Sequence, residues 1–235
     1  MIMELTKNIL KATSINNLNW PGAGLFKNRL IDETCQRRWL RQSVLCYDLQ
    51  CMFIGKTGYG KSSTLNRIVG DNVFETDDIN ACTANLYCAD YILNADRHYF
   101  LSLCDLPGVG EDEDRDAGYL AWYQQMLIKS DCVVYVLRAD QRDMSVDLKV
   151  FRILQIRPDN CVIALNYCDK IEPVSRCSVL PTNEQRCNIN LKIRDISRTF
   201  NFPVTQILPY SAYTGWNIGA LLYAMSGKLS CGFRT

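Results

Sequence analysis

At 235 residues, 48% of them apolar and 22% charged, the chain has the composition of a folded globular protein and not of a disordered one. A net charge of +1 argues against a polybasic nucleic-acid binder or membrane anchor, so no strong signal for either partner is present. The first residues lack the apolar core of a signal peptide, and the most continuous apolar run, Cys132 to Leu137, is too short to span a bilayer. A cytoplasmic location is the expectation.

In chain order, residues 1–44 are expected to form an N-terminal helical arm, and 45–231 one globular domain. Ile31, Cys35 and Trp39 recur at i, i+4 and i+8, the spacing of an apolar helical stripe. The arm carries seven basic residues against three acidic ones, which fits the solvated face of such a helix better than a docking arm. Trp20-Pro21-Gly22-Ala23-Gly24 reads as a turn.

Cys51 to Ile54 then reads as a buried strand, and Ser62 to Val69 as a helix stopped by Gly70. Between them, Gly55-Lys56-Thr57-Gly58-Tyr59-Gly60-Lys61-Ser62 fits G-x-x-x-x-G-K-[ST], the phosphate-binding P-loop. Its glycines let the backbone curl until successive N–H groups point at phosphate oxygens. Lys61 brings a charge to the β- and γ-phosphates, and the Ser62 hydroxyl can ligate Mg²⁺. The segment from Gly70 to Tyr91 offers Thr76 and Thr83 as threonines able to hold the metal and the γ-phosphate, and spacing alone does not choose between them.

Further on, Asp105-Leu106-Pro107-Gly108 follows a strand from Tyr99 to Cys104 and fits D-x-x-G. Asp105 would support the metal, and the Gly108 N–H can face the γ-phosphate. The acidic run Glu111 to Asp114 reads as a solvated loop. Tyr119 to Leu127 mark a helix, and Val133 to Leu137 and Cys161 to Leu165 are strands buried on both faces. Between these strands Ser145 is placed to cap a helix bearing Val146, Val150 and Leu154. Residues 171–184 look like a loop insertion. Ile189 to Phe200 mark a helix, Val204 to Leu208 a strand, and Ile218 to Leu229 the last helix. The alternation predicts a three-layer α/β sandwich of the P-loop NTPase kind, with a mostly parallel central sheet and right-handed crossovers.

Asn166-Tyr167-Cys168-Asp169 follows the Cys161 strand and is similar to the N-K-x-D base-reading motif, with tyrosine in place of lysine. Asp169 would accept from guanine N1–H and the exocyclic amine, a donor pair that adenine lacks. Tyr167 would stack on the base, and the backbone of Ser211-Ala212 would read guanine O6. Of the twelve cysteines, Cys51, Cys104, Cys132 and Cys161 sit within or beside buried strands and are expected to act there as free, apolar thiols, so structural thiols are expected and not a metal site; no Cys-x-x-Cys occurs, and His98 is the one histidine.

Together, Gly55 to Ser63, Ala81-Cys82-Thr83, Asp105 to Glu111 and Asn166 to Pro173 resemble the bacterial YfjP/YeeP-type GTPases, of the Era-like and septin-like branch. The resemblance covers roughly residues 30–225. It implies a GTP- and GDP-binding domain with Mg²⁺ and selects Thr83 over Thr76 as the switch threonine. It also brings Ser63 and Lys170 into the nucleotide site. On this reading Lys61, Thr83 and Gly108 serve catalysis, and Ser62, Thr83 and Asp105 hold the metal. The expected activity is hydrolysis of GTP to GDP and phosphate, as a nucleotide-dependent switch. A slowly hydrolysing or non-hydrolysing GTP/GDP-binding module is the alternative, and an ATPase the weaker rival. Val109 stands where many GTPases place a water-orienting glutamine, and Gly58 where Era-like loops carry a potassium-binding asparagine. Slow turnover follows, accelerated by a homodimer or a protein activator.

Overall fold

The computed structural model describes residues 16–17, 38–41, 44–74, 76, 87–94, 99–110, 113–128, 130–174 and 179–231. The strands are β1 (Asn16–Asn17), β2 (Arg38–Arg41), β3 (Val44–Ile54), β4 (Tyr87–Asn94), β5 (Tyr99–Asp105), β6 (Cys132–Arg138), β7 (Cys161–Asn166) and β8 (Ile207–Pro209). The helices are α1 (Lys61–Val69), α2 (Glu113–Leu127), α3 (Ser145–Ile153), α4 (Asn183–Phe200) and α5 (Ile218–Cys231).

Five strands, in the order β5-β3-β6-β7-β8, run parallel, as the unbroken apolar runs predict. From β3 the chain winds first toward β5, then back across to β6, β7 and β8. Right-handed crossovers then put α1 and α5 on one face and α2, α3 and α4 on the other. The contacts of α1 with α5, and of α3 with α4, agree. Because the winding reverses at β3, a crevice opens beyond its carboxyl end, the usual ligand position in such sheets. The core behind it holds Phe53, Leu65, Val134, Tyr135 and Ile163, each fully buried. Complete burial of one such side chain contributes about 1.5–3 kcal/mol.

Several expectations are corrected. Ile31 and Cys35 lie outside the described residues, but Trp39 is in a strand: β2 pairs antiparallel with β3, Trp39 opposite Cys46. The four-residue periodicity competes here with a hairpin that extends the sheet, and sheet pairing wins. β4, unforeseen, pairs antiparallel with β5 and sets Cys88 directly opposite Cys104. These two form a disulfide, with Cα atoms 4.1 Å apart. Cys104 is therefore not the free thiol expected, whereas Cys51, Cys132 and Cys161 are buried and free. Ser145 does not cap α3. It is the first helical residue, and its N–H donates to Asp143 Oδ1 at 2.9 Å. Val204–Gln206 is a 3₁₀ turn, so β8 is only three residues long. Among the described residues no helix is long and apolar enough to cross a membrane.

Candidate nucleotide site

The phosphate loop is the link between β3 and α1. Gly60 shows why glycine is needed there: its φ is +81°, and a Cβ would lie 2.5 Å from Asn166 Nδ2. α1 closes at Gly70, whose φ is +77° and whose N–H bonds Asn66 O at 2.9 Å. Lys61 is almost fully buried and donates from Nζ to Gly55 O at 3.3 Å and Lys56 O at 3.2 Å. Its ammonium thus lies inside the curl of the loop.

Asp105 ends β5, adjacent to β3, and so reaches the first turn of α1. Ser62 Oγ donates to Asp105 Oδ2 at 2.5 Å. Asp105 Oδ1 is buried without a hydrogen-bond partner. Burial raises the Asp105 carboxyl above its ordinary range, and the Lys61 charge and the Ser62 hydroxyl oppose that rise. The site fits a hard cation: a hydroxyl and a carboxylate in contact, with an orphaned oxygen beside them.

The D-x-x-G segment lies directly on the phosphate loop. Thr57 N–H donates to Val109 O at 3.3 Å, and Val109 N–H to Gly55 O at 3.4 Å. Gly108 sits so close that a Cβ would come within 2.6 Å of Thr57 N and Cα, so this position too requires glycine. Thr57 Oγ1 is buried and unpartnered. Tyr123, on α2, holds the segment from behind through a hydrogen bond to Pro107 O.

The residues expected to read the base come from the ends of β7 and β8. Asn166 is buried and spans both sides: Nδ2 donates to Tyr59 O at 3.1 Å, and Oδ1 accepts from Ala212 N at 3.0 Å. The Ser211 N–H is bonded to Trp216 O at 3.1 Å. Reading guanine O6 at Ala212 therefore requires Asn166 to share or yield that donor. Asp169 Oδ1 is buried without a partner. It lines a cavity of about 790 Å³ with Gly58, Gly60, Arg138, Tyr167 and Tyr213. Ser63, Thr76, Lys170 and Ala212 border the same cavity. Thr83 lies outside the described residues.

Tyr59 is placed differently from the rest of the loop. Its side chain is buried and turned toward α3, where the phenol donates to Asp147 Oδ2 at 3.1 Å. Tyr135 OH donates to Asp147 Oδ1 at 3.4 Å and to its carbonyl at 3.2 Å. Asp147 is completely buried, and burial raises its pKa from 3.8 to about 6, against the hydrogen bonds and the Lys56 charge. Sequence reasoning missed both Asp147 and Arg138. Arg138 was detectable as the last residue of a strand at the carboxyl edge. Asp147 was detectable because it shares a helical face with Val150, Phe151 and Leu154, all buried.

Comparison with known proteins bears on the family and the fold. The family described as 50S ribosome-binding GTPase matches residues 50–167. The uncharacterized protein YkfA of Escherichia coli (strain K12) is 30% identical over 213 residues, 88% of this chain and 72% of that one. Uncharacterized protein YfjP of the same strain is 32% identical over 174 residues, 73% of this chain; the chain spans 59% of its length. Among solved structures, a single-residue variant of Aquifex aeolicus Era bound to GDP.AlF4- superposes with a TM-score of 0.61 at 21% identity, over 77% of this chain and 56% of that one. That likeness establishes the fold.

Proposed function

We propose that this chain, which belongs to the family described as 50S ribosome-binding GTPase, binds GTP with Mg²⁺ and hydrolyses it slowly, as a nucleotide-dependent switch. One observation carries the reading. Gly58 and Gly60 of the phosphate loop, Asn166 and Asp169 line a single cavity, and Asp169 Oδ1 is buried without a partner. An acceptor buried without a partner is costly, and guanine offers it two donors. Adenine offers none there, which is the basis of base choice.

Within the site, Lys61 exchanges the Gly55 and Lys56 carbonyls for phosphate oxygens. The main-chain N–H groups of Gly58, Gly60, Lys61 and Ser62 would cradle the β-phosphate, those of Thr57 and Tyr59 being bonded to Val109 O and Lys56 O. Ser62 and Asp105 would hold the cation, joined by Thr83 of the switch segment. When bound, Mg²⁺ neutralises charge on the β- and γ-phosphates. Gly108 presents its N–H to the γ-phosphate. Catalysis of phosphoryl transfer rests mostly on such positioning and charge stabilisation.

Slow turnover is supported by Val109. Its side chain is 1% exposed, and its backbone is pinned to the phosphate loop on both sides. An apolar group held there cannot orient an attacking water. A second copy of the chain or a protein activator would supply the missing group, and a cytoplasmic setting suits such a switch. Phosphate release with GTP, with ATP, and with GTP plus a chelator tests the reading. Release is expected from GTP alone, lost on chelation and absent with ATP. Equal release from ATP, or release unaffected by the chelator, would overturn it.

A further inference from the structure

Tyr167 occupies an uncomfortable conformation. Its φ is +61° and ψ +27°, the left-handed region, which costs a bulky side chain energy unless its surroundings hold it. Two grips are visible. The phenol donates to Gly58 O at 3.3 Å, so the ring is tied to the phosphate loop. The Arg138 guanidinium lies 4.3 Å from the ring centroid, well within cation–π range. Arg138 is itself fixed by a two-pronged contact with Asp140, Nε to Oδ1 at 2.7 Å and Nη2 to Oδ2 at 3.0 Å. The Lys170 ammonium lies 5.5 Å from the same ring. Arg138 comes from β6 and Tyr167 from the end of β7, so the stack joins two strand ends at the cavity wall.

We propose that Arg138, oriented by Asp140, is a positioning residue for purine-nucleotide binding: it holds Tyr167 as the platform on which the base stacks. The inference rests on the nucleotide-site reading above. A lysine at position 167 could stack its stem and donate to the loop by itself. A tyrosine donates through its phenol and stacks through its ring, and here the Arg138 guanidinium stacks on that ring. Arginine suits that clamp: its planar cation stacks on an aromatic face while its edge pairs with a carboxylate. The Gly58 bond has a consequence, since whatever loosens Tyr167 also loosens the phosphate loop. Stacking is indifferent to the substituents of the purine ring. Arg138 therefore tunes affinity for every purine nucleotide by one factor, while Asp169 sets which purine is preferred.

The test measures equilibrium binding and release of fluorescent GDP, with inosine and xanthosine diphosphates as competitors. Arg138→Ala is expected to weaken all three about 5- to 10-fold by a common factor, and to speed release. Arg138→Lys should recover part of the loss, and Asp140→Ala should fall between. In a Tyr167→Leu background, Arg138→Ala should have no further effect, because Arg138 acts through the ring. Unchanged affinity in Arg138→Ala, a base-dependent loss, or an undiminished Arg138 effect without the ring would each overturn the inference. Lys61→Ala run in parallel separates it from the underlying reading. If that variant also binds GDP normally, the nucleotide site itself is misassigned; if only the Arg138 variants do, the clamp alone fails.

Discussion

Asp147 makes a quantitative prediction. Its carboxyl is completely buried between Tyr59 of the phosphate loop and Tyr135 of β6, and burial raises its pKa to about 6. An acid whose folded pKa lies above the unfolded 3.8 binds its proton more tightly when folded. Folding is thus favoured by acid: the contribution is greatest below pH 3.8, and it is lost as pH rises through 6. The full span of the shift corresponds to about 3 kcal/mol. Between pH 7.5 and pH 5 about 1.4 kcal/mol of that returns. Asp147→Asn removes the charge and keeps an acceptor for one phenol and a donor for the other, whose hydroxyl can accept. Urea unfolding of the wild type and of Asp147→Asn, at several pH values, isolates the effect because other titrating groups cancel. The variant should be the more stable at pH 7.5, with the difference shrinking by about 1.4 kcal/mol at pH 5. Tyr59→Phe deletes a hydrogen bond that favours the charged form, and should move the transition to higher pH. Parallel stability profiles for wild type and Asp147→Asn across this range would refute the argument.

Three other outcomes are expected. Lys61→Ala should abolish tight binding of a fluorescent GTP analogue while leaving the circular-dichroism spectrum unchanged, since Lys61 Nζ donates to carbonyls of the loop itself; unchanged affinity would remove the phosphate-loop assignment. Asp169→Asn should weaken GTP and favour xanthosine triphosphate, whose base presents an oxygen where guanine presents an amine, so a mutant still preferring GTP in competition binding would exclude Asp169 as base reader. Turnover per molecule should rise with protein concentration and be insensitive to replacing potassium by sodium, because Val109 and Gly58 lack the side chains that would supply either aid; fast, concentration-independent hydrolysis would end the case for activation in trans.

What the sequence made legible follows from the physics of each signal. Strands buried on both faces, such as Cys161–Asn166, are written as unbroken apolar runs, so the parallel sheet could be read directly. The phosphate loop was legible because its function constrains backbone shape, and glycine records that constraint in the sequence. β4 (Tyr87–Asn94) was not, because its polar and apolar residues do not alternate cleanly, and its pairing with β5 is a tertiary choice. β2 was masked by a competing helical period. The Cys88–Cys104 bridge depends on register, which no spacing along the chain encodes. Asp147 is a different case: its place on the face of Val150, Phe151 and Leu154 marks it as buried, against the habit of reading a helical charge as solvated.

The site is held together by main-chain carbonyls of the phosphate loop as much as by its side chains. Gly55 O accepts from Lys61 and from Val109, joining α1 and the D-x-x-G segment. Gly58 O accepts from Tyr167, and Tyr59 O from Asn166, both from the end of β7. The Tyr59 side chain continues to Asp147 on α3. One short loop therefore receives bonds from three neighbouring segments and sends a fourth to a helix on the far side of the sheet. Gly55 O uses both of its lone pairs in this way, one toward Lys61 Nζ and one toward Val109 N–H. Residues 55–59 are thus the point at which hydrogen bonds from α1, the D-x-x-G segment, the end of β7 and α3 converge.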